Sequence, residues 1–204
     1  WLNSDQQNSV FEHILKAVEF FITAQNLGEH GLCKIGEGDW NDAVNLAGLK
    51  GRGESVMVSC QTVIALTQIC EILQHLQNIN FDGGNIRYSD LMNAYTKAKT
   101  ELIANLRRHA FNSEGYFNSV FNDDGKWIFS PADPDGQRRI SGPANWYAIA
   151  SGAADEKMTE SILQQLEYLK CSEGYRLFFP PFGEKPIPNV GRIATGDQPI
   201  GVFE

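Results

Sequence analysis

From Val56 to Leu76 the residues Val56, Cys60, Val63, Leu66, Cys70, Leu73 and Leu76 recur every three or four positions. That spacing puts an apolar stripe along one face of a helix for about six turns. A strand cannot keep it, because strand side chains alternate with a period of two. Any fold that contains this segment has to bury one side of a long helix. Val10, Ile14, Val18 and Phe21 keep the same period, and so do Leu91, Tyr95, Ala98, Leu102 and Leu106 behind Ser89, read as an N-cap. Ile162, Leu163, Leu166 and Leu169 follow Asp155 in the same way, and a shorter helix is predicted over residues 144–151, closed by Gly152.

Between these helices run stretches rich in Gly, Asp, Asn and Pro: residues 28–54, 112–141 and 171–204. Connections of that length in a compact domain are functional or disordered. Trp40, Trp127, Phe178, Phe179 and Phe182 lie in them, too much aromatic surface for plain disorder. Short strands are expected, "KWIFS" at 126–130 first among them. The fold class that follows is mainly α, with helical hairpins and elaborate loops gathered at one end, in a long-helix, long-loop recurrence of the kind a helical toroid shows.

Composition narrows the partners. With 42% hydrophobic and 21% charged residues over 204 positions, the chain can bury a core as one domain. Its formal charge of -8, from 17 Lys+Arg against 25 Asp+Glu, repels nucleic acid and anionic membranes, and its basic doublets are only Arg107-Arg108 and Arg138-Arg139. No unbroken apolar run approaches the roughly 20 residues of a membrane span, and residues 1–20 lack a leader pattern, so a soluble chain is expected. Cys33, Cys60, Cys70 and Cys171 show neither a C-x-x-C pair nor metal-ligand spacing, which predicts reduced thiols and no metal site. The start at Trp1 and the stop just after "QPIGVFE" lead us to expect a piece of a longer protein.

The chemistry concentrates in "EGDWNDAVN", residues 37–45. An indole can cover the apolar face of a pyranose, and a carboxyl group can donate a proton to a departing glycosidic oxygen. Asp39 and Asp42 flank Trp40 and Asn41 as such chemistry would need, although on spacing alone D-W-N-D reads first as a capped turn. Spacing alone does not choose between the two carboxylates. "GLKGRGES" at 48–55 is a glycine-rich turn opening onto the longest helix, where free N–H groups could hold an anion or where Glu54 or Ser55 simply caps the helix. It fits no nucleotide-binding fingerprint. His13, His30, His75 and His109 read as isolated, with His30 a loop contact, and no G-x-S-x-G elbow nominates a nucleophilic serine.

"HGLCKIGEGDWNDAVNLAGLKGRGESV", residues 30–56, resembles the central signature of glycoside hydrolase family 94, which includes the cellobiose and chitobiose phosphorylases and the phosphorylase-like part of cyclic β-1,2-glucan synthases. "GYF" at 115–117, "DDG" at 123–125, "SGPANWYAIASGAA" at 141–154, "LFFPPF" at 177–182 and "PIGVFE" at 199–204 extend the resemblance over nearly the whole chain. It implies an (α/α) six-hairpin toroid, of which residues 1–204 supply roughly the C-terminal half, with an N-terminal β-sandwich and the first barrel helices absent. It implies an inverting phosphorylase in which inorganic phosphate, the co-substrate, attacks the anomeric carbon while Asp42 acts as general acid. No organic cofactor or metal enters. Trp40, Asp39, Asn41, Glu54 and Glu204 would bind the sugar of an oligosaccharide substrate. The pattern departs at Phe203, where relatives carry a basic residue, and at "PAN" 143–145, where a glutamine is expected. An inverting hydrolase, which would need a second, water-activating carboxylate, and a silent carbohydrate-binding domain are the alternatives. The resemblance and the reduced cysteines together lead us to expect a cytoplasmic enzyme, homodimeric as a whole protein, and an isolated piece without activity.

Overall fold

The computed structural model describes residues 7–39, 42–82, 87–183 and 186–194. Among the described residues five α-helices carry the fold: α1 Val10–Ile22, α2 Val56–Asn78, α3 Tyr88–Asn105, α4 Gly142–Ala150 and α5 Glu156–Leu166. Two-residue strands tie the loops between them. β1 Glu54–Ser55, β2 Val120–Phe121 and β3 Trp127–Ile128 form one antiparallel sheet. β4 Ile140–Ser141 pairs with β7 Phe178–Phe179, and β5 Lys170–Cys171 with β6 Gly174–Tyr175.

Local chemistry sets most of the helix starts. Ser9 and Glu12 form a reciprocal capping box at α1, and Asp155 accepts from Met158 N at 2.9 Å to cap α5. Ser55 caps α2 by accepting from Val58 N at 3.1 Å. The expectation for α3 needs correction. It begins at Tyr88, with Arg87 at the cap position making no side-chain bond, and Ser89 sits inside the first turn. There Asp90 complements the free N–H groups and pairs with Arg87 at 2.9 Å. Of "KWIFS" only Trp127–Ile128 is strand, since Phe129 has a φ of 56°, a left-handed turn that no ladder continues through.

α2 is the helix on which α1, α3 and α4 pack. Its N-terminal half, Val56, Cys60 and Val63, joins Ala144 and Ala148 of α4 and Ile162 and Leu166 of α5 in one core. Its C-terminal half, Leu66, Ile69 and Leu73, meets Leu15 and Val18 of α1 and Tyr95 of α3 in another. Cys33 and Cys60 are buried free thiols whose pKa burial pushes up, that of Cys60 to about 12. α2 is also long and apolar enough to cross a membrane by length and composition, with a mean hydropathy of 1.6 over its best window. A reading based on unbroken apolar runs misses this, because Ser59, Gln61, Thr62 and Thr67 interrupt the sequence.

Of the stripe expected on α1, Val18 alone is buried. Phe11, Leu15, Val18 and Ile22 face α2 and α3, while Val10 is 78% exposed and Ile14 39%. The helix is apolar on two sides, and periodicity cannot tell which of them finds a neighbour. Leu163 of α5, expected on a buried face, is likewise exposed.

The described parts of the long connections are packed rather than loose. Ile35, Val44 and Ala47 of the first, Val120, Ile128 and Phe129 of the second, and Phe178, Phe182, Ile187, Val190 and Ile193 of the third form a separate apolar core. Arg139, 1% exposed, bolts two of these loops together. Its guanidinium donates to Asp133 at 3.1 Å, to both oxygens of Asp135, and to the carbonyls of Pro180 and Pro181, and it lies 4.1 Å from the centroid of Phe182. Burial raises the pKa of Asp133, whereas the Arg139 hydrogen bonds lower that of Asp135. Removing the cation leaves Asp133 buried and uncompensated, so Arg139→Met is expected to lose about 3–5 kcal/mol of stability in denaturant unfolding. Adding Asp133→Asn to that variant should restore part of the loss, because the buried charge is then gone.

Candidate active site

β1 is the hinge of the site, and its two side chains leave on opposite faces of the sheet. Ser55 pairs across with Val120 and then Ile128, on the side of the loop core. Glu54 pairs with Phe121 and then Trp127, on the other side. Backbone bonds fasten residues 33–35 to the same strand: Ser55 N donates to Cys33 O at 2.9 Å, and Ile35 N to Gly53 O at 2.9 Å.

On the first face, Ser55 Oγ donates to Asp39 Oδ2 at 2.8 Å while it accepts from Val58 N. Asp39 therefore sits at the N-terminus of α2, where the helix dipole favours a negative charge. It borders a cavity of about 10 Å³ lined also by Val44, Met57, Ser119, Val120, Phe129, Ser141 and Pro143. Residues of two long connections and the first turns of α2 and α4 thus meet beside Asp39. The backbone of Asp42 opens a single 3-10 turn, Asp42–Val44, just beyond. Gly191 packs so closely on that turn, at φ +138°, that a Cβ there would stand 2.3 Å from Ala43 O. Arg192 N and the Asn45 side chain add a bond of 3.2 Å between the same two segments. Trp40, Asn41 and Glu204, expected to contact the sugar, lie outside the described residues.

On the second face, Glu54 is fully buried. Its Oε1 accepts from His30 N at 3.0 Å and Leu32 N at 3.2 Å, and Oε2 lies 2.5 Å from His30 Nδ1. Gly28 makes room for it, since a Cβ there would be 2.4 Å from the Glu54 side chain. Its carboxylate thus holds residues 28–32 and points away from Asp39. His30 is the loop contact expected, but His30 and His109 are not isolated. Their rings are 5.0 Å apart, with Phe121 and Trp127 at 4.5 and 5.5 Å from His30. Sequence cannot show this pair, because 79 positions of chain separate the two histidines.

The glycine-rich turn at 48–53 does hold an anion, supplied by the protein itself. Asp123 accepts from Lys50 N at 2.6 Å, Arg52 N at 2.9 Å and Gly53 N at 3.1 Å. Asp123 was legible only as part of "DDG", and nothing in its neighbourhood in sequence announces its partners. Asn145, where a glutamine was expected, is completely buried and pairs with the Phe117 peptide, accepting from its N–H at 2.8 Å and donating to its carbonyl at 3.1 Å. Among the described residues, no group of three or more His, Cys, Asp or Glu could hold a metal ion.

Comparison with known proteins adds the family context. Residues 2–201 match the glycosyl hydrolase 94 superfamily, catalytic domain. The chain is 28% identical over 191 residues to a 3-O-beta-D-glucopyranosyl-beta-D-glucuronide phosphorylase of Paenibacillus borealis, covering 94% of this chain and 23% of that protein. It is 29% identical over 197 residues to a solabiose phosphorylase of the same organism, covering 96% of this chain and 23% of that protein. The chain thus spans under a quarter of the length of these curated relatives. Among solved structures, a cellobiose 2-epimerase from Bacillus thermoamylovorans B4167 superposes with a TM-score of 0.52 at 11% identity, over 92% of this chain and 43% of that one. That likeness gives the fold: the five helices are part of an (α/α) six-hairpin toroid, as expected from the sequence.

Two outcomes follow from the geometry. Asp123→Ala strips the acceptor from three N–H groups and is expected to cost about 2–3 kcal/mol in unfolding. Amide exchange at Lys50, Arg52 and Gly53 should quicken first. Burial and the neighbouring His30 lower the pKa of His109. The folded state therefore prefers it neutral, and its contribution to stability is present above the ordinary histidine pKa and lost as pH falls below it. Unfolding curves of His109→Gln should show a weaker acid loss than the unsubstituted protein over that range.

Proposed function

The chain belongs to the glycosyl hydrolase 94 superfamily, as a length of its catalytic domain, and from that premise we propose that the whole protein is an inverting glycoside phosphorylase. It cleaves a β-glucoside or β-glucan oligosaccharide with inorganic phosphate, giving an α-sugar 1-phosphate and a shortened acceptor. The observation that carries this reading is that similarity to proteins named phosphorylases runs over 94–96% of the chain.

In the proposed reaction a phosphate oxygen bonds to the anomeric carbon from one side. The bond from that carbon to the bridging oxygen breaks on the other, and Asp42 gives its proton to the departing oxygen. Phosphate arrives already nucleophilic, so no second carboxylate has to activate it. In this reading Trp40, Asp39, Asn41 and Glu204 bind the sugar, and Glu54, buried against residues 30 and 32, supports the loop ahead of them. Inorganic phosphate is the co-substrate, and no other cofactor is required. The reading also includes an N-terminal β-sandwich and the first barrel helices elsewhere in the whole protein, a homodimeric assembly, and a cytoplasmic setting that supplies phosphate.

Phosphate release from α-glucose 1-phosphate by the full-length protein, with glucose, N-acetylglucosamine and short β-glucans as acceptors, tests this directly. Release should require an acceptor, and Asp42→Asn should lower it by about 100- to 10,000-fold. Cleavage of β-glucans in water without phosphate would replace the proposal with an inverting hydrolase. Binding of β-glucans without any turnover would replace it with a carbohydrate-binding domain.

A further inference from the structure

We infer that Trp146 of α4 is a binding platform for the acceptor sugar, the part of the oligosaccharide that leaves in phosphorolysis and attacks in the reverse direction. The inference rests on the phosphorylase reading and names a residue that holds one of its reactants.

Trp146 is 40% exposed, although Gly142, Pro143, Ala144, Asn145 and Ala148 of the same helix are buried. Ala144 and Ala148 pack with Val56, Cys60 and Val63 of α2 and with Ile162 and Leu166 of α5. Trp146 stands two positions from each of these alanines, about 200° around the helix, so its indole leaves α4 on the side away from that core. The ring has a seat there. A helical side chain leans back over the preceding turn, and the indole lies against Gly142. A Cβ on Gly142 would stand 2.5 Å from Cη2 and Cζ2 of Trp146 and 2.9 Å from its Cε2, the three nearest atoms. Gly142 is helical and does not need a left-handed backbone, so what its missing side chain provides is room for the indole.

The seat lies at the end of the fold that carries the signature. Ser141 and Pro143, on either side of Gly142 in the chain, line the cavity that Asp39 borders, together with Met57 from the first turn of α2. Trp146 follows them by one turn of α4. That turn is held in place, because Ser141 pairs with Phe178 in the β4–β7 ladder and Gly142 N donates to Leu177 O at 2.8 Å.

Chemistry selects the occupant. An exposed indole offers a π-face to the C–H groups of a pyranose, and its N–H, without a hydrogen-bond partner among the described residues, can meet a hydroxyl. Inorganic phosphate has no apolar face and calls instead for cations and clustered N–H groups. In the phosphorylase reading the donor sugar goes to the signature at 37–45, which leaves the acceptor as the reactant that an aromatic platform on α4 suits.

The test measures phosphate release from α-glucose 1-phosphate by the full-length protein, varying first the acceptor and then glucose 1-phosphate. Glucose, N-acetylglucosamine and a short β-glucan are tried as acceptors. Trp146→Ala should raise KM for the acceptor at least about 10-fold and leave KM for glucose 1-phosphate within about 3-fold. Trp146→Phe, which keeps an aromatic plane, should recover most of the acceptor affinity. Gly142→Ala keeps the indole but fills its seat, and should raise the acceptor KM by about 3- to 10-fold. The unfolding midpoint of Trp146→Ala should stay within about 2 °C of the unsubstituted protein, as for an exposed side chain. A rise confined to the KM of glucose 1-phosphate would assign Trp146 to the donor sugar and overturn the inference. An unchanged acceptor KM in both Trp146→Ala and Gly142→Ala would overturn it too, and a lowered midpoint beside it would mark the ring as a packing residue. If the unsubstituted protein releases no phosphate with any of these acceptors, the phosphorylase reading is what fails, and with no acceptor to hold the inference fails with it.

Discussion

The Ser55 hydroxyl, shared between the first turn of α2 and Asp39, is the contact on which the rest of the site depends. A helix end has free N–H groups that need an acceptor, and a loop carboxylate needs a donor. One buried side chain meets both needs. It makes the longest helix the reference frame for Asp39, a residue of an irregular connection. Glu54, next to it on the strand, does the same for residues 30–32 from the other face.

A second constraint is that the connections must be rigid without regular structure. Two-residue strands cannot supply that, because each contributes only a few ladder bonds. Burial supplies it, through an apolar core built entirely from the three long connections and through the buried Arg139, which satisfies two carboxylates and two carbonyls. Asp123 works similarly, filling a cluster of backbone N–H groups that in other proteins binds a ligand anion. These polar contacts place the site side of the fold, while the helices provide the bulk of the apolar burial.

Much of this architecture was legible from residue order. The period of three to four identified the helices, Asp155 marked one of their starts, and the glycine-rich turn offered either an anion site or a helix cap, both of which the structure contains. What escaped was partnership. α1 has two apolar stripes, and which is buried depends on where α2 and α3 lie. The start of α3 went to Tyr88 because Asp90, not Ser89, serves its first turn. His30 and His109 seemed unrelated until the fold brought the end of the α3 segment against the first connection, with their rings tilted 5.0 Å apart.

The sequence by itself determined the helical class and the family, because each is carried by patterns of residues close to one another along the chain. Only the tertiary structure decided that Asp123 is the anion in the glycine-rich turn, that Arg139 joins two loops, and that Ser55 and Glu54 face opposite ways to grip Asp39 and His30. Those contacts join residues from 16 to more than 70 positions apart. Local propensity has no term for such pairs, and they form only once α2 is buried and its first turn is presented to the loops.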